Sequence, residues 1–77
     1  MDEWVIVDYP VVRPVNVDHM ANGVTQALIQ VETGKHTFDL GMPVNYKPAF
    51  RTVPVSGTSP MRPMQLQFTP SSSEDQT

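Results

Sequence analysis

Cysteine is absent from the 77 residues, which removes disulfide support and any thiolate metal site. Basic residues are scarce, five against eight acids for a formal net charge of −3, too few for the broad cationic face that nucleic-acid binding needs. Met1 is followed at once by Asp2 and Glu3, so the basic and apolar regions of a secretory signal are missing. No apolar run approaches a membrane span, so no membrane insertion is expected. A complete chain of this kind is expected in the cytoplasm; one excised from a larger protein carries no such expectation. No window shows helical spacing, and eight prolines reinforce that reading. The phosphate-cradling patterns Gly-x-Gly-x-x-Gly and Gly-Lys-Ser/Thr are both absent.

What remains is alternation punctuated by turns. Apolar and polar residues alternate, stop at a glycine or proline, and resume, the signature of consecutive strands with one buried face. Strands are predicted over 4–9, 15–18, 27–32, 36–40, 50–55 and 64–68. Val15 and Val17 share one face, as do Ile29 and Val31, Phe38 and Leu40, Val53 and Val55, and Met64, Leu66 and Phe68. Residues 19–23 read as a loop whose Asn22-Gly23 suits positive φ. Residues 41–48 and 57–63 read as longer loops, and Pro54 marks an edge strand. The expectation is a small antiparallel β-sandwich of six or seven strands over residues 1–69, with a disordered tail over 70–77.

Charge is unevenly placed. Through Leu40, six acids face only Arg13 and Lys35, whereas 41–70 holds Lys47, Arg51 and Arg62 and no acid. Neutralisation between neighbouring strands is the expected consequence; a small basic patch meeting an anionic partner is the other reading.

Residues 13–48 resemble a PEGA-type domain. That resemblance rests on Val15-Asn16-Val17-Asp18, on Gly23-Val24-Thr25, on Leu28-Ile29-Gln30-Val31, on Gly34-Lys35-His36-Thr37-Phe38-Asp39-Leu40, and on Asn45-Tyr46-Lys47-Pro48. The Pro-Glu-Gly-Ala signature is absent, His19 and Met20 lengthen the first turn, and Asn45 replaces the usual glycine before the tyrosine. The resemblance implies a β-sandwich akin to transthyretin-like and carboxypeptidase-regulatory-like modules, with a non-catalytic part in adhesion, surface-layer or signalling proteins.

The residues offer little catalytic chemistry. A hydrolytic triad needs a nucleophile, a base and an orienting acid, yet the serines fall in 56–59 and the tail, far from the two histidines. Asp18 beside His19, and His36 near Asp39, chelate one ion only if turns bring them to the same face. No metal or cofactor is implied. His36 reads as a strand-start imidazole bonded to the neighbouring turn, and Thr25 as a hydroxyl bonded to turn backbone; Gly23 and Gly34 complete this structural set. The function expected first is a non-catalytic module that binds another protein, or a second copy, through strand edges or loops, with Tyr46, Lys47, Phe50, Arg51, Met61 and Arg62 as candidate partner surface. A small-ligand or carbohydrate-binding domain using Tyr46, Phe50 and the 57–63 loop is the alternative. An enzyme ranks last.

Overall fold

The computed structural model describes residues 1–71. They form nine strands: β1 Asp2–Asp8, β2 Pro14–Val17, β3 Met20–Val24, β4 Leu28–Glu32, β5 Gly34–Asp39, β6 Tyr46–Lys47, β7 Arg51–Val55, β8 Met64–Gln67 and β9 Thr69–Pro70. The domain is all-β. One sheet has the order β4-β1-β8, a second β3-β2-β5-β7, and a two-stranded third pairs β6 with β9.

Alternation sets the inward faces of the two larger sheets. Val5 and Val7 of β1, Ile29 and Val31 of β4 and Leu66 of β8 meet Val15 and Val17 of β2, Phe38 of β5 and Val55 of β7 in one cluster. Phe38 and Phe68 are its largest fully buried side chains. Tyr9, Leu40 and Tyr46 extend it toward the end where β1 and β5 stop.

Nine strands stand in place of the six or seven expected, with β6 inside the expected 41–48 loop, and three further features depart from the sequence reading. Edge strand β3, Met20–Val24, takes up most of the expected 19–23 loop, pairs with β2 and leaves all five of its residues exposed. No hydrophobic period marks such a strand, because backbone pairing alone makes it. The turn falls earlier: Val17 pairs with Met20, and Asp18 and His19 between them have φ of 53° and 69°. Positive φ at both central residues is the pattern of a type I′ hairpin turn, whose twist matches the strands it joins. Second, β8 runs parallel to β1, with Val5 opposite Met64 and Val7 opposite Leu66, so the strand pairing is not wholly antiparallel. Short turns force antiparallel neighbours, but nothing local sets the direction between strands so far apart in the chain. Third, Pro70, expected in the tail, pairs with Tyr46 through β9, and the Ser71 N–H donates to the Asn45 carbonyl at 2.9 Å. The rest of the expected tail, 72–77, lies outside the described residues.

Two glycines answer specific needs. Gly23 has φ of 83°, and a Cβ there would sit 2.8 Å from Ile29 Cγ1, so it lets β3 cross closely over β4. Gly34 has φ of 134°, in a region L side chains rarely adopt, although the space around it is open. Its constraint is conformational.

Candidate functional site

The loop 41–50 and the outer face of the β2/β5 pair enclose the most distinctive surface of the molecule. Alternation makes Asn16, Thr37 and Asp39 point away from the core occupied by Val17 and Phe38. Asn16 lies opposite Asp39 in the ladder, and its Nδ2 donates to Asp39 Oδ1 at 2.9 Å. The same oxygen accepts the Gly41 N–H at 2.8 Å, starting the turn out of β5. A groove of about 510 Å³ lies between this polar floor and the side chains of Met42, Val44 and Phe50. Those three are 83%, 53% and 60% exposed.

The loop's base is firmly held. Arg13 Nη1 donates to Asn45 Oδ1 at 2.7 Å, and its Nη2 to the carbonyls of Leu40 at 3.1 Å and Pro43 at 3.0 Å. The guanidinium also stacks 4.9 Å from the Tyr46 ring centroid and 5.6 Å from that of Tyr9. A planar fork with five donors suits several carbonyls at once, which a lysine does not. Tyr46 completes the base: its hydroxyl donates to the Gly41 carbonyl at 2.9 Å and accepts the Leu40 N–H at 3.2 Å. Its ring meets Phe68 and Tyr9 edge-on.

The candidate partner residues therefore separate. Tyr46 is only 4% exposed and belongs mainly to the core and the loop base, reaching the groove only along its lining rather than standing on an open surface. Phe50 borders the groove, with exposed Lys47 and half-buried Arg51 close by in the chain. Met61, 90% exposed, and Arg62 lie in a loop beyond the other end of β7. Strand β7 spans four intervals of about 3.4 Å between those groups. Tyr46 and Phe50 both line the groove, whereas no residue of the 57–63 loop does.

The expected neutralisation between acidic and basic strands does not take the form of lysine or arginine ion pairs among the described residues. The ion pairs among the described residues are the N-terminal ammonium with Glu32 at 3.4 Å and His36 with Asp18 at 2.6 Å; no lysine or arginine takes part. Arg13 spends its donors on carbonyls and an amide instead.

The remaining structural residues have definite partners. Thr25, fully buried, donates from Oγ1 to the Val11 carbonyl at 2.8 Å and accepts the Arg13 N–H at 3.0 Å, tying the β3–β4 turn to the segment ahead of β2. His36 lies between Asp18 Oδ2 and the Glu32 carbonyl, each 2.6 Å from a ring nitrogen. The bond to Asp18 raises the imidazole pKa above its ordinary 6.5, reinforced by the Glu32 carbonyl and opposed by partial burial. Asp18 is lowered by the same bond and by the Thr37 N–H at 2.9 Å.

Sequence reasoning passed over Glu3. It is 4% exposed and in phase with Val5 and Val7. Its Oε1 accepts from Thr58 N–H at 2.9 Å and Thr58 Oγ1 at 2.5 Å, and its Oε2 from Thr33 Oγ1 at 2.6 Å. Those bonds, Thr33 first, hold its carboxyl down at about 2. The phase with Val5 was the available signal; the threonines were not visible as partners. Among the described residues no three His, Asp or Glu side chains gather as a metal-binding group, and no helix is long and apolar enough to cross a membrane. No protein-family model matches the chain, and no curated protein or solved structure matches it either.

Proposed function

We propose that this domain is a PEGA-like, non-catalytic module that binds another protein through the loop 41–50 and the adjoining start of β7. The observation that carries the reading is the contrast within that loop: a base pinned by Arg13 and Tyr46, and three large apolar side chains left in water on top. A held loop has already given up much of its freedom, so ordering it on binding costs little. Covering Met42, Val44 and Phe50 would return about 1.5–3 kcal/mol each before association costs, the scale of a transient complex. A photo-crosslinking residue in place of Phe50, compared with one at exposed Gln65, tests the proposal in the native host. Position 50 is expected to capture a discrete protein, or a second copy of this chain, and Val44→Asp to abolish capture without lowering the melting temperature. Equal labelling from both positions overturns it.

The groove itself favours a second reading, a small-ligand or carbohydrate site. Its volume of about 510 Å³ lies within the usual ligand range of roughly 300–1,000 Å³. Its polar floor of Asn16, Thr37 and Asp39 offers hydrogen bonds beside the Phe50 ring. A glycan that raises the melting temperature of the native chain but not of Phe50→Ala would favour this reading; no response across a panel would exclude it.

A further inference from the structure

We propose that the turn joining β2 to β3 is a proton-operated latch, closed while His36 donates from both ring nitrogens and released when the ring loses a proton. Its Nδ1 is 2.6 Å from Asp18 Oδ2 and its Nε2 is 2.6 Å from the Glu32 carbonyl oxygen. An ionised carboxylate and a carbonyl can only accept, so both contacts need an N–H, and neutral imidazole has just one. Losing a proton therefore sets a lone pair against an acceptor at one of the two positions.

The latch holds the least anchored part of the sheet. Strand β3 buries no side chain and pairs within its sheet only with β2. Its turn places two non-glycine residues at positive φ, which favours opening once the restraint goes. That restraint is Asp18: Oδ2 accepts from His36, Oδ1 accepts the Thr37 N–H at 2.9 Å, and the Asp18 N–H donates to the Thr37 carbonyl at 2.7 Å. Away from the turn, β3 is held by its ladder with β2, by the Asn22 amide on the Gln30 carbonyl at 3.2 Å and by Gly23 against Ile29.

The electrostatic surroundings favour the charged ring. Glu32 at the end of β4 and Asp2 on β1 border the same cleft as Asp18 and His36. From β7, Val53 lies opposite His36, and the neighbouring Phe38 ring is uncharged. The cationic or titratable groups nearby are the N-terminal ammonium, 3.4 Å from Glu32 Oε1, His19 in the turn, which helps lower Asp18, and Lys35, next to His36 on β5. The raised His36 pKa makes the latch strongest below the ordinary value of 6.5, and its contribution is lost as pH rises through the folded value. The lowered Asp18 pKa adds an acid limit, reached as pH falls from 3.8 through its folded value. Release on the alkaline side uncovers the β2 edge, a row of backbone donors and acceptors able to pair with another strand.

Nitrogen-15 NMR of the His36 ring, with hydrogen-exchange protection of the Asp18 and Thr37 amides, tests the latch across pH. At pH 6.5, the ordinary midpoint, both ring nitrogens are expected to be protonated in most molecules. Protection, corrected for intrinsic exchange, should fall by up to about tenfold per pH unit between 6.5 and the ring's folded value, and level off above it. His36→Gln should flatten that profile. Asp18→Asn, which keeps a residue tolerant of positive φ, should bring the ring's titration back toward 6.5. A ring that is mostly neutral at pH 6.5 overturns the proposal, as does native protection that does not change while the ring titrates. The ring measurement needs only the native chain and decides even if a variant fails to fold.

Discussion

The two ends of β1 are closed by opposite charges used in the same way. At its start, the Glu3 carboxylate is held by threonines from two loops, Thr33 and Thr58. Thr58 relays the contact, accepting the Trp4 N–H at 2.7 Å while it donates to Glu3. Beyond the other end, the Arg13 guanidinium gathers Asn45 and the carbonyls of Leu40 and Pro43 over the rings of Tyr9 and Tyr46. Neither charge meets an opposite charge; each collects neutral dipoles from segments distant in sequence. A short chain without disulfides thus orders its loops through charge-assisted hydrogen bonds, roughly twice as strong as neutral ones. The ends differ in one respect. Carboxylates titrate in the acid range and arginine does not, so acid should loosen the Glu3 end and leave the Arg13 end closed.

The largest effect should come from the core that both ends share. Leu66 is 2% exposed, and Leu66→Ala is expected to cost about 2–5 kcal/mol in urea denaturation, with equal loss of exchange protection at both ends. Unequal loss would show that the ends unfold separately. Next comes Arg13→Lys, expected to cost about 1–3 kcal/mol because one ammonium cannot span the three acceptors and stack on two rings. Its signature should be looser Tyr46 and groove resonances with the acid response unchanged. A steeper acid response in this variant would mean the ends are coupled.

Glu3→Gln sharpens the comparison through pH. The folded carboxyl sits near 2 against an ordinary 4.5, so its contribution is complete above 4.5 and fades as pH falls toward 2. Denaturation of the variant at neutral pH should show lower stability than the native chain, and the two curves should converge as pH approaches 2. Parallel curves would place the acid response elsewhere. The smallest effect belongs to exposed Gln65 and Gln67, whose replacement by alanine should stay within about 0.5 kcal/mol. A larger loss at either would show that the outer face of β8 is covered in solution.

How much was legible depended on whether the cause was local. The strand-and-turn rhythm from Val15 to Leu40 and the inward set Leu66 and Phe68 could be read directly, because side-chain alternation follows from strand geometry. Strand β3 could not, since it buries nothing and leaves no period. Its turn at Asp18-His19 lacks the glycine that usually announces a type I′ hairpin. Tyr46 lies in a proline-rich loop, and its burial comes from Phe68 and Tyr9, neither of them near in sequence. Of the candidate site, Phe50 was legible as an exposed aromatic. The polar floor of Asn16, Thr37 and Asp39 was not, because it belongs to the faces read simply as pointing to water.

By itself, the sequence determined that this protein is all-β, where most strands run, and which side chains form its core. Period-two alternation and turn chemistry act over a few residues and need no distant partner. Tertiary structure alone decided that β8 lies parallel to β1, that Glu3 is enclosed by a threonine 55 residues away, and that Arg13 ties down a loop about 30 residues ahead. Backbone pairing and charge-assisted hydrogen bonds need only donors and acceptors, which nearly every residue carries. Their partners are therefore chosen by where the packed core brings the chain together.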